Sequence, residues 1–448
     1  MNDKLDDRAK RNLVMFIISY FINNLASGIM YDTYVNYMQE IARPIATSFW
    51  AFYGYATFIS AAILLLVPKI GYKKILFLCG ISTATAFFVA VYSNFYVLFY
   101  IATLLALTGV QLHYIILAPY VSAYTEKLSD NGIKWYTRTY YIGYVGYFLA
   151  TYLGGFFVVK MFSLSAGMSY RTAREETKYI ADMTGNTYDC YLAGNRQVLM
   201  IIGIITLLSI IPILRIKELK EDYIKINDNE EKLTFGEKIK YGTKLLLNRD
   251  ARIYILYWAL ISFAMGLFTA YYTVFLNRNL HIDKVTSSLM ISISYIAIVI
   301  FMLFTPFAVK KLGRVGTIGF TVLTSVPFMI IIGMGGRFGH LTIPVVGVAL
   351  FIRAGLANLS GPAESSVSMS IVSKNLRPVY TALINFLAGI ISIVSGFFTG
   401  NWLFIKQSGY EYAYYIAAII YTIAGIVIMV GLRKYNRRND EDDIRQET

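Results

Sequence analysis

Two charged side chains, Arg353 and Glu364, lie in an apolar stretch from Val348 to Val372 that has the composition of a membrane-spanning helix. Placing a full charge in hydrocarbon costs roughly 2.5–3.5 kcal/mol on insertion scales. Eleven positions make almost three helical turns, so the two side chains share one face, about 16 Å apart along the axis. They cannot pair directly in a straight helix, so each needs its own partner. Pro362 offers a kink between them.

A third charge, Asp32, lies in an apolar stretch near the N-terminus and is a candidate partner for Arg353. We expect Arg353 to bind an anionic or polar group of a substrate, or to pair with Asp32 when no substrate is bound. Asp32 or Glu364 could carry a coupling proton, because desolvation raises the pKa of a carboxyl group and a nearby cation lowers it. The alternative is a fixed ion pair or capped polar contact that only holds helices together.

Weaker candidates for a binding or coupling site are polar side chains in apolar surroundings. They are Asn23, Asn24, Gln111, His113, Tyr272 and Asn385. His113 could titrate near neutral pH, although a lone intramembrane histidine is more often a packing residue. The 37 Tyr and 29 Phe residues suit interfacial belts or a cavity for amphipathic or cationic compounds, and a general compositional preference for tyrosine explains their number equally well.

The elements that position these residues are predicted to be membrane-spanning helices. The chain of 448 residues is 56% hydrophobic and 15% charged, whereas a soluble protein carries about a quarter charged residues. Twelve apolar runs reach about the 20 residues that a span needs. They are 12–37, 48–68, 73–95, 97–122, 137–160, 197–215, 252–277, 285–309, 315–334, 341–370, 376–402 and 409–433.

The net charge of +14 is distributed as the positive-inside rule requires. With a cytoplasmic N-terminus, the predicted cytoplasmic segments carry roughly three times as many Lys and Arg residues as the external ones. We therefore expect a multi-pass plasma-membrane protein with both termini in the cytoplasm and no nucleic-acid partner. The external loop 161–196 is unusually long and either caps the outer side or is a disordered elaboration.

The chain is predicted to consist of two halves, 1–215 and 252–448, joined by a charged cytoplasmic loop, 216–251, with an interfacial helix. The halves repeat weakly, since "PKIGYKK" after span two matches "KKLGRV" after span eight at an offset of about 240 residues. In span five, Gly146, Ala150 and Gly154 form a small-residue face that lets another helix approach closely.

The repeated turns hold Lys69, Gly71, Lys73 and Lys74 in the first half and Lys311, Gly313 and Arg314 in the second. Two six-helix halves, a charged middle loop and these turns together resemble the major facilitator superfamily over nearly the whole chain. The resemblance implies an all-α fold of two pseudo-symmetric six-helix bundles and a secondary transporter with a central cavity lined by spans one, four, seven and ten. It also implies a gating role for the turn residues.

Other classes of function lack their usual signatures. The three histidines and two cysteines are scattered, so the sequence predicts no metal site, cofactor or enzyme activity, and no P-loop is present to power a pump. We expect a monomer that carries out proton-coupled export of a small amphipathic compound or metabolite. Uptake of an anionic nutrient is the alternative, and a membrane enzyme or a non-transporting receptor is less favoured.

Overall fold

The computed structural model describes residues 2–125, 128, 132–223, 246–372 and 377–436. Twelve long helices, labelled α1 to α12, account for most of these residues. Their bounds are Asp7–Ile41, Phe49–Leu64, Tyr72–Tyr92, Tyr96–Thr125, Lys134–Ser165, Gly185–Arg215, Arg249–Arg278, Lys284–Met302, Arg314–Gly333, Gly339–Ser370, Tyr380–Leu403 and Gly409–Gly431. Shorter helices are Arg43–Thr47, Val67–Ile70, Tyr170–Glu176, Thr177–Asp182, Lys220–Asp222, Thr305–Leu312, Gly335–Arg337 and Arg433–Tyr435.

The predicted all-α membrane fold is confirmed. Within the described ranges, eleven helices are long and apolar enough to cross a membrane, and α2 is the shorter twelfth. The helices extend beyond several predicted spans, because helical hydrogen bonding continues into polar residues on both sides of the apolar core. The helix predicted for the central loop lies outside the described residues, as does the C-terminal tail, 437–448.

Two of the helices are interrupted beside charged residues. The π-helical segment Met30–Tyr34 interrupts α1 and contains Asp32. The regular helix of α10 stops at Leu359 and resumes at Gly361, with Ser360 between the two parts. Pro362 explains the break in α10, because proline has no N–H to donate to the preceding turn.

The chain divides into two compact units. The first comprises Met1–Asn229 and Ala270–Ser292, and the second comprises Glu230–Thr269 and Ile293–Thr448. Ala270–Ser292 holds the end of α7 and the start of α8, so part of the predicted second half groups with the first. The polar contacts of this segment, described below, explain its position.

Small residues bring α1 and α5 into close contact inside the first unit. A Cβ atom added to Gly28 would lie 2.8 Å from the Cβ of Ala150, and one added to Gly146 would lie 3.1 Å from the carbonyl oxygen of Phe21. The predicted face of Gly146, Ala150 and Gly154 therefore packs against α1. This packing holds the polar residues of α1 in a fixed position.

The repeated glycine turns have almost identical backbones. Gly71 has φ 82° and ψ 164°, and Gly313 has φ 79° and ψ 169°. This combination of φ and ψ is essentially restricted to glycine. Both turns therefore require glycine at this position, and both copies of the sequence repeat have it. Each glycine directly precedes a long helix, α3 or α9.

We predict that Gly71→Ala lowers the thermal stability of the purified protein. The added Cβ meets the Glu218 carboxylate, and the backbone strain alone costs about 1–3 kcal/mol. Gly167→Ala is the matched control, since Gly167 has φ +63° but no atom within 4 Å of the added Cβ. Melting temperatures in detergent should rank wild type, Gly167→Ala and Gly71→Ala in descending order. An unchanged melting temperature for Gly71→Ala would contradict the conclusion that this turn requires glycine.

Candidate functional site

A buried ion pair lies within the first unit, between α1 and the start of α8. The Lys284 ammonium donates to Asp32 Oδ1 at 2.7 Å, and the Ser288 hydroxyl donates to Asp32 Oδ2 at 3.0 Å. The side chains of Lys284 and Asp32 are only 1% and 2% exposed. Lys284 and Ser288 are four residues apart, so both point from one face of α8. The π-helical segment presents Asp32 to them, and such segments are frequent at functional sites.

Two further contacts continue along the same face of α1. Asn36 donates to the Thr273 hydroxyl at 2.6 Å, and Glu40 forms an ion pair with Arg278. Asp32, Asn36 and Glu40 follow one another at intervals of four residues. One face of α1 therefore binds the segment 270–292 through three successive polar side chains.

The loop between α5 and α6, predicted above to be external, also binds this segment. Arg174 donates to the two carboxylate oxygens of Asp283 at 2.8 and 3.2 Å, and Asn277 donates to the Thr177 carbonyl at 2.6 Å. Burial raises the pKa of Asp283, but the hydrogen bonds from Arg174 and Thr286 outweigh it and leave that pKa below its ordinary value. The loop is thus a folded element that covers residues 277–286, and the alternative of a disordered elaboration is wrong.

The expected pairing of Asp32 with Arg353 is also wrong, because the Asp32 carboxylate is bound by Lys284 and Ser288. In the second unit, Arg353 donates to the Tyr421 hydroxyl at 2.8 Å. Its guanidinium lies 4.5 Å from the centroid of the Phe268 ring. An aromatic ring attracts a guanidinium through its quadrupole, so Arg353 is stabilised without the expected carboxylate.

Glu364 has different partners, as the spacing along α10 predicts. Its Oε1 accepts hydrogen bonds from the Tyr257 hydroxyl at 2.8 Å and the Ser360 hydroxyl at 2.9 Å. The Tyr254 hydroxyl donates to the Glu364 carbonyl at 3.2 Å. Ser360 lies at the break in α10, so the interrupted helix supplies one of the donors. The half-buried carboxyl group is held by neutral hydroxyls.

His113 and Gln111 are buried on α4. The His113 ring lies 5.6 Å from the Phe16 ring, nearly parallel to it, and 5.8 Å from the Tyr20 ring. These contacts favour the packing interpretation of His113. Gln111 hydrogen-bonds the Tyr53 hydroxyl, which links α4 to α2.

The remaining polar candidates are dispersed. Asn23 and Asn24 are buried in α1, where Asn24 donates to the Tyr20 carbonyl at 2.6 Å. Tyr272 is half-buried in α7, and Asn385 is exposed on α11. Within the part of the chain that the structure describes, no three His, Cys, Asp or Glu side chains could jointly hold a metal ion.

The first glycine turn is tied to the residues that follow α6. The Glu218 carboxylate accepts hydrogen bonds from the backbone N–H groups of Tyr72 at 2.7 Å and Lys73 at 3.2 Å. The Lys73 ammonium donates to the carbonyls of Leu214 and Ile216, both at 2.8 Å. Burial raises the pKa of Glu218, although its backbone hydrogen bonds act against the rise. Glu218 thus supplies an acidic group at the turn from elsewhere in the chain.

At the second glycine turn, the side-chain amide of Asn436 takes the place that the Glu218 carboxylate has at the first turn. The Asn436 side chain follows α12 and accepts a hydrogen bond from the Gly316 N–H at 2.8 Å. Arg314, the residue directly after Gly313, is buried. The exposed lysines of the two turns are Lys69, Lys74, Lys310 and Lys311.

A family model described as Major Facilitator Superfamily matches residues 12–396 and 259–447. The chain belongs to this superfamily. No curated protein sequence matches it.

Solved structures with the same fold include several transporters. The nucleoside transporter NupG is 13% identical, with a TM-score of 0.70 over 95% of this chain and 99% of that one. A bacterial homologue of the human lysosomal transporter Spinster is 13% identical, with a TM-score of 0.66 over 97% and 99%. A D-xylose-proton symporter is 13% identical, with a TM-score of 0.63 over 95% and 98%. The superfamily and these neighbours indicate a transporter rather than an enzyme.

Sequence reasoning missed the partners of the buried charges in this superfamily member. Lys284 and Arg278 lie just outside the predicted spans 285–309 and 252–277, where basic residues are common, and Tyr257 and Tyr421 are two of 37 tyrosines. One signal was available for α1, namely the four-residue spacing of Asp32, Asn36 and Glu40. Lys284 and Ser288 show the same four-residue spacing, but the sequence contains no signal that pairs them with Asp32.

We predict that Asp32→Asn destabilises the protein strongly, because it leaves the Lys284 ammonium buried without its counter-charge. Breaking a buried pair by removing one partner costs about 3–5 kcal/mol. The double variant Asp32→Asn/Lys284→Met should recover part of the loss in thermal unfolding in detergent. Asp283→Asn is the control, since its partner Arg174 is 43% exposed, and more exposed pairs contribute less. Equal losses for the two single Asp variants would refute the prediction.

Proposed function

We propose that this superfamily member is a proton-coupled secondary transporter that works by alternating access and exports a small amphipathic compound. The observation that carries the proposal is the buried Asp32–Lys284 pair, at 2.7 Å. It joins α1 to a segment from the second half of the sequence. A transporter of this fold changes access by moving its repeats against each other, so the pair must open in each cycle.

The cost of opening this pair supports coupling to an ion. Separating the two charges without replacement leaves each one buried and uncompensated, at a cost of about 3–5 kcal/mol. A proton on Asp32 removes the charge of the carboxylate and weakens its hold on Lys284. Proton binding from one side and release to the other would then bias the movement of residues 270–292 away from α1.

Glu364 is the second candidate for a coupling group. Its described side-chain partners, Tyr257 and Ser360, are neutral. Both hydroxyls donate to the same oxygen, Oε1. A carboxyl group held in this way can gain or lose a proton without disrupting an ion pair, which is the property that a proton carrier needs.

The aromatic surface of the first unit supports an amphipathic solute. Tyr114 on α4 and Tyr140 on α5 hydrogen-bond one another, and they are 55% and 39% exposed. Gln111 and Tyr53 add an amide and a hydroxyl on adjacent helices. Rings that carry hydroxyl groups suit compounds with both apolar and polar parts.

Arg353 favours a second candidate function, the uptake of an anionic solute. A guanidinium binds carboxylate and phosphate groups in a bidentate manner. Arg353 is 5% exposed and is already oriented by Tyr421. A solute that reached this residue would find a positioned charge without the entropic cost of ordering it.

Transport in proteoliposomes that contain a trapped pH-sensitive dye tests the coupling. Solute-dependent proton flux is expected for amphipathic compounds in a panel that also contains nucleosides, sugars and organic anions. Glu364→Gln keeps an acceptor oxygen for Tyr257 and Ser360 but cannot ionise. If Glu364 carries the coupling proton, this variant should abolish solute-driven proton flux and leave solute exchange without a pH gradient intact. Glu411→Gln, at the start of α12, is the control, and unchanged proton flux in Glu364→Gln would remove Glu364 from the mechanism.

Substitutions of Arg353 distinguish the two candidate functions. If the solute is anionic, Arg353→Lys should raise the KM for its uptake about tenfold or more, because lysine keeps the charge but loses bidentate binding. Arg353→Ala should abolish uptake. Unaltered transport of every anion in the panel by Arg353→Ala would exclude the uptake function and leave Arg353 with a packing role.

A further inference from the structure

A cavity of about 630 Å³ lies within the first unit, between the first glycine turn and the residues after α6. Five lysines line it together with one acidic residue, Glu218. The lysines are Lys69, Lys73 and Lys74 from the turn and Lys217 and Lys220 from the segment after α6. Proton coupling and solute transport, as proposed above, use none of this positive charge.

Most of this positive charge has no internal counter-charge. Lys73 is held by two backbone carbonyls, and Glu218 is directed at the backbone N–H groups that begin α3. Within the described ranges, the ammonium groups of Lys69, Lys74, Lys217 and Lys220 form no hydrogen bond or ion pair. The cavity therefore has an excess of four positive charges over its one carboxylate, which favours an anion of high charge density.

The cavity lies at the ends of α3 and α6, two helices that are long and apolar enough to cross a membrane. One wall comprises the residues on both sides of the start of α3, at Tyr72, and the other follows α6, which ends at Arg215. Exposed leucines adjoin it in the sequence, with Leu65 at 79%, Leu214 at 57% and Leu219 at 47% exposure. Exposed leucines that neighbour the cavity-lining lysines in the sequence match a molecule with a phosphate at one end and acyl chains at the other. The positive-inside pattern predicts that this face is cytoplasmic, where anionic lipids attract basic segments.

We propose that this lysine cavity binds the headgroup phosphate of an anionic phospholipid, with its acyl chains against the exposed leucines. The bound lipid bridges the turn between α2 and α3 and the segment after α6. It thereby stabilises two elements that Glu218 already links.

Lipid retention by the purified full-length protein tests the proposal. Native mass spectrometry would compare phosphatidylglycerol with phosphatidylcholine of the same acyl chains. We expect about tenfold or greater preference for phosphatidylglycerol, since each lysine near an anionic surface contributes appreciably. The variant K69Q/K74Q/K217Q/K220Q should lose this preference, whereas K310Q/K311Q, at the equivalent turn of the second half, should keep it. Equal retention of phosphatidylglycerol by the quadruple variant and the wild type would overturn the proposal.

A competition experiment on the wild-type protein separates a lipid from a soluble phosphate compound and needs no variant. Glycerol phosphate at millimolar concentration should leave bound phosphatidylglycerol in place, because it lacks the acyl chains that contact the leucines. Displacement at that concentration would overturn the assignment to lipid and indicate a site for a soluble phosphate. The quadruple variant must also melt within a few degrees of the wild type, so that a lost lipid preference does not reflect unfolding. If it melts lower, this competition and the lipid preference of the wild type decide whether the cavity binds an anionic lipid.

Discussion

Charges inside an apolar helical bundle are tolerated only when each has a partner, and this constraint shapes both units. In the first unit the Asp32 carboxylate is matched by Lys284 and Ser288. In the second, Arg353 rests on Phe268 and Tyr421. An unpaired charge at such a position costs several kcal/mol. The partners therefore determine which segments are held together.

The ends of the helices repeat one arrangement with different chemistry in the two halves. Arg8, before the apolar part of α1, forms an ion pair with Asp222 after α6. Asp250, at the start of α7, forms an ion pair with Lys434 after α12. The first helix of each half is thus fastened to the segment after its last helix, with the charges reversed. The packing requirement is shared between the halves, whereas the sign of each charge is free to differ.

The sequence predicted much of the fold because a membrane leaves few alternatives. Backbone polar groups in hydrocarbon must be satisfied within the helix, so each long apolar run becomes a span. The glycine turns were predictable for a similar local reason, since Gly71 and Gly313 occupy a backbone region that other residues avoid. The separate partners of Arg353 and Glu364 followed from helical geometry alone.

By itself, the sequence determined the helices, the repeat and the presence of costly charges in α1 and α10. Only the tertiary structure decided that Lys284 binds Asp32, that Tyr421 binds Arg353 and that the loop between α5 and α6 folds onto residues 277–286. Helix formation and membrane insertion depend on residues close together in the chain. Lys284 and Asp32 are 252 residues apart, and their pairing depends on where packing brings two distant segments, which neither local sequence encodes.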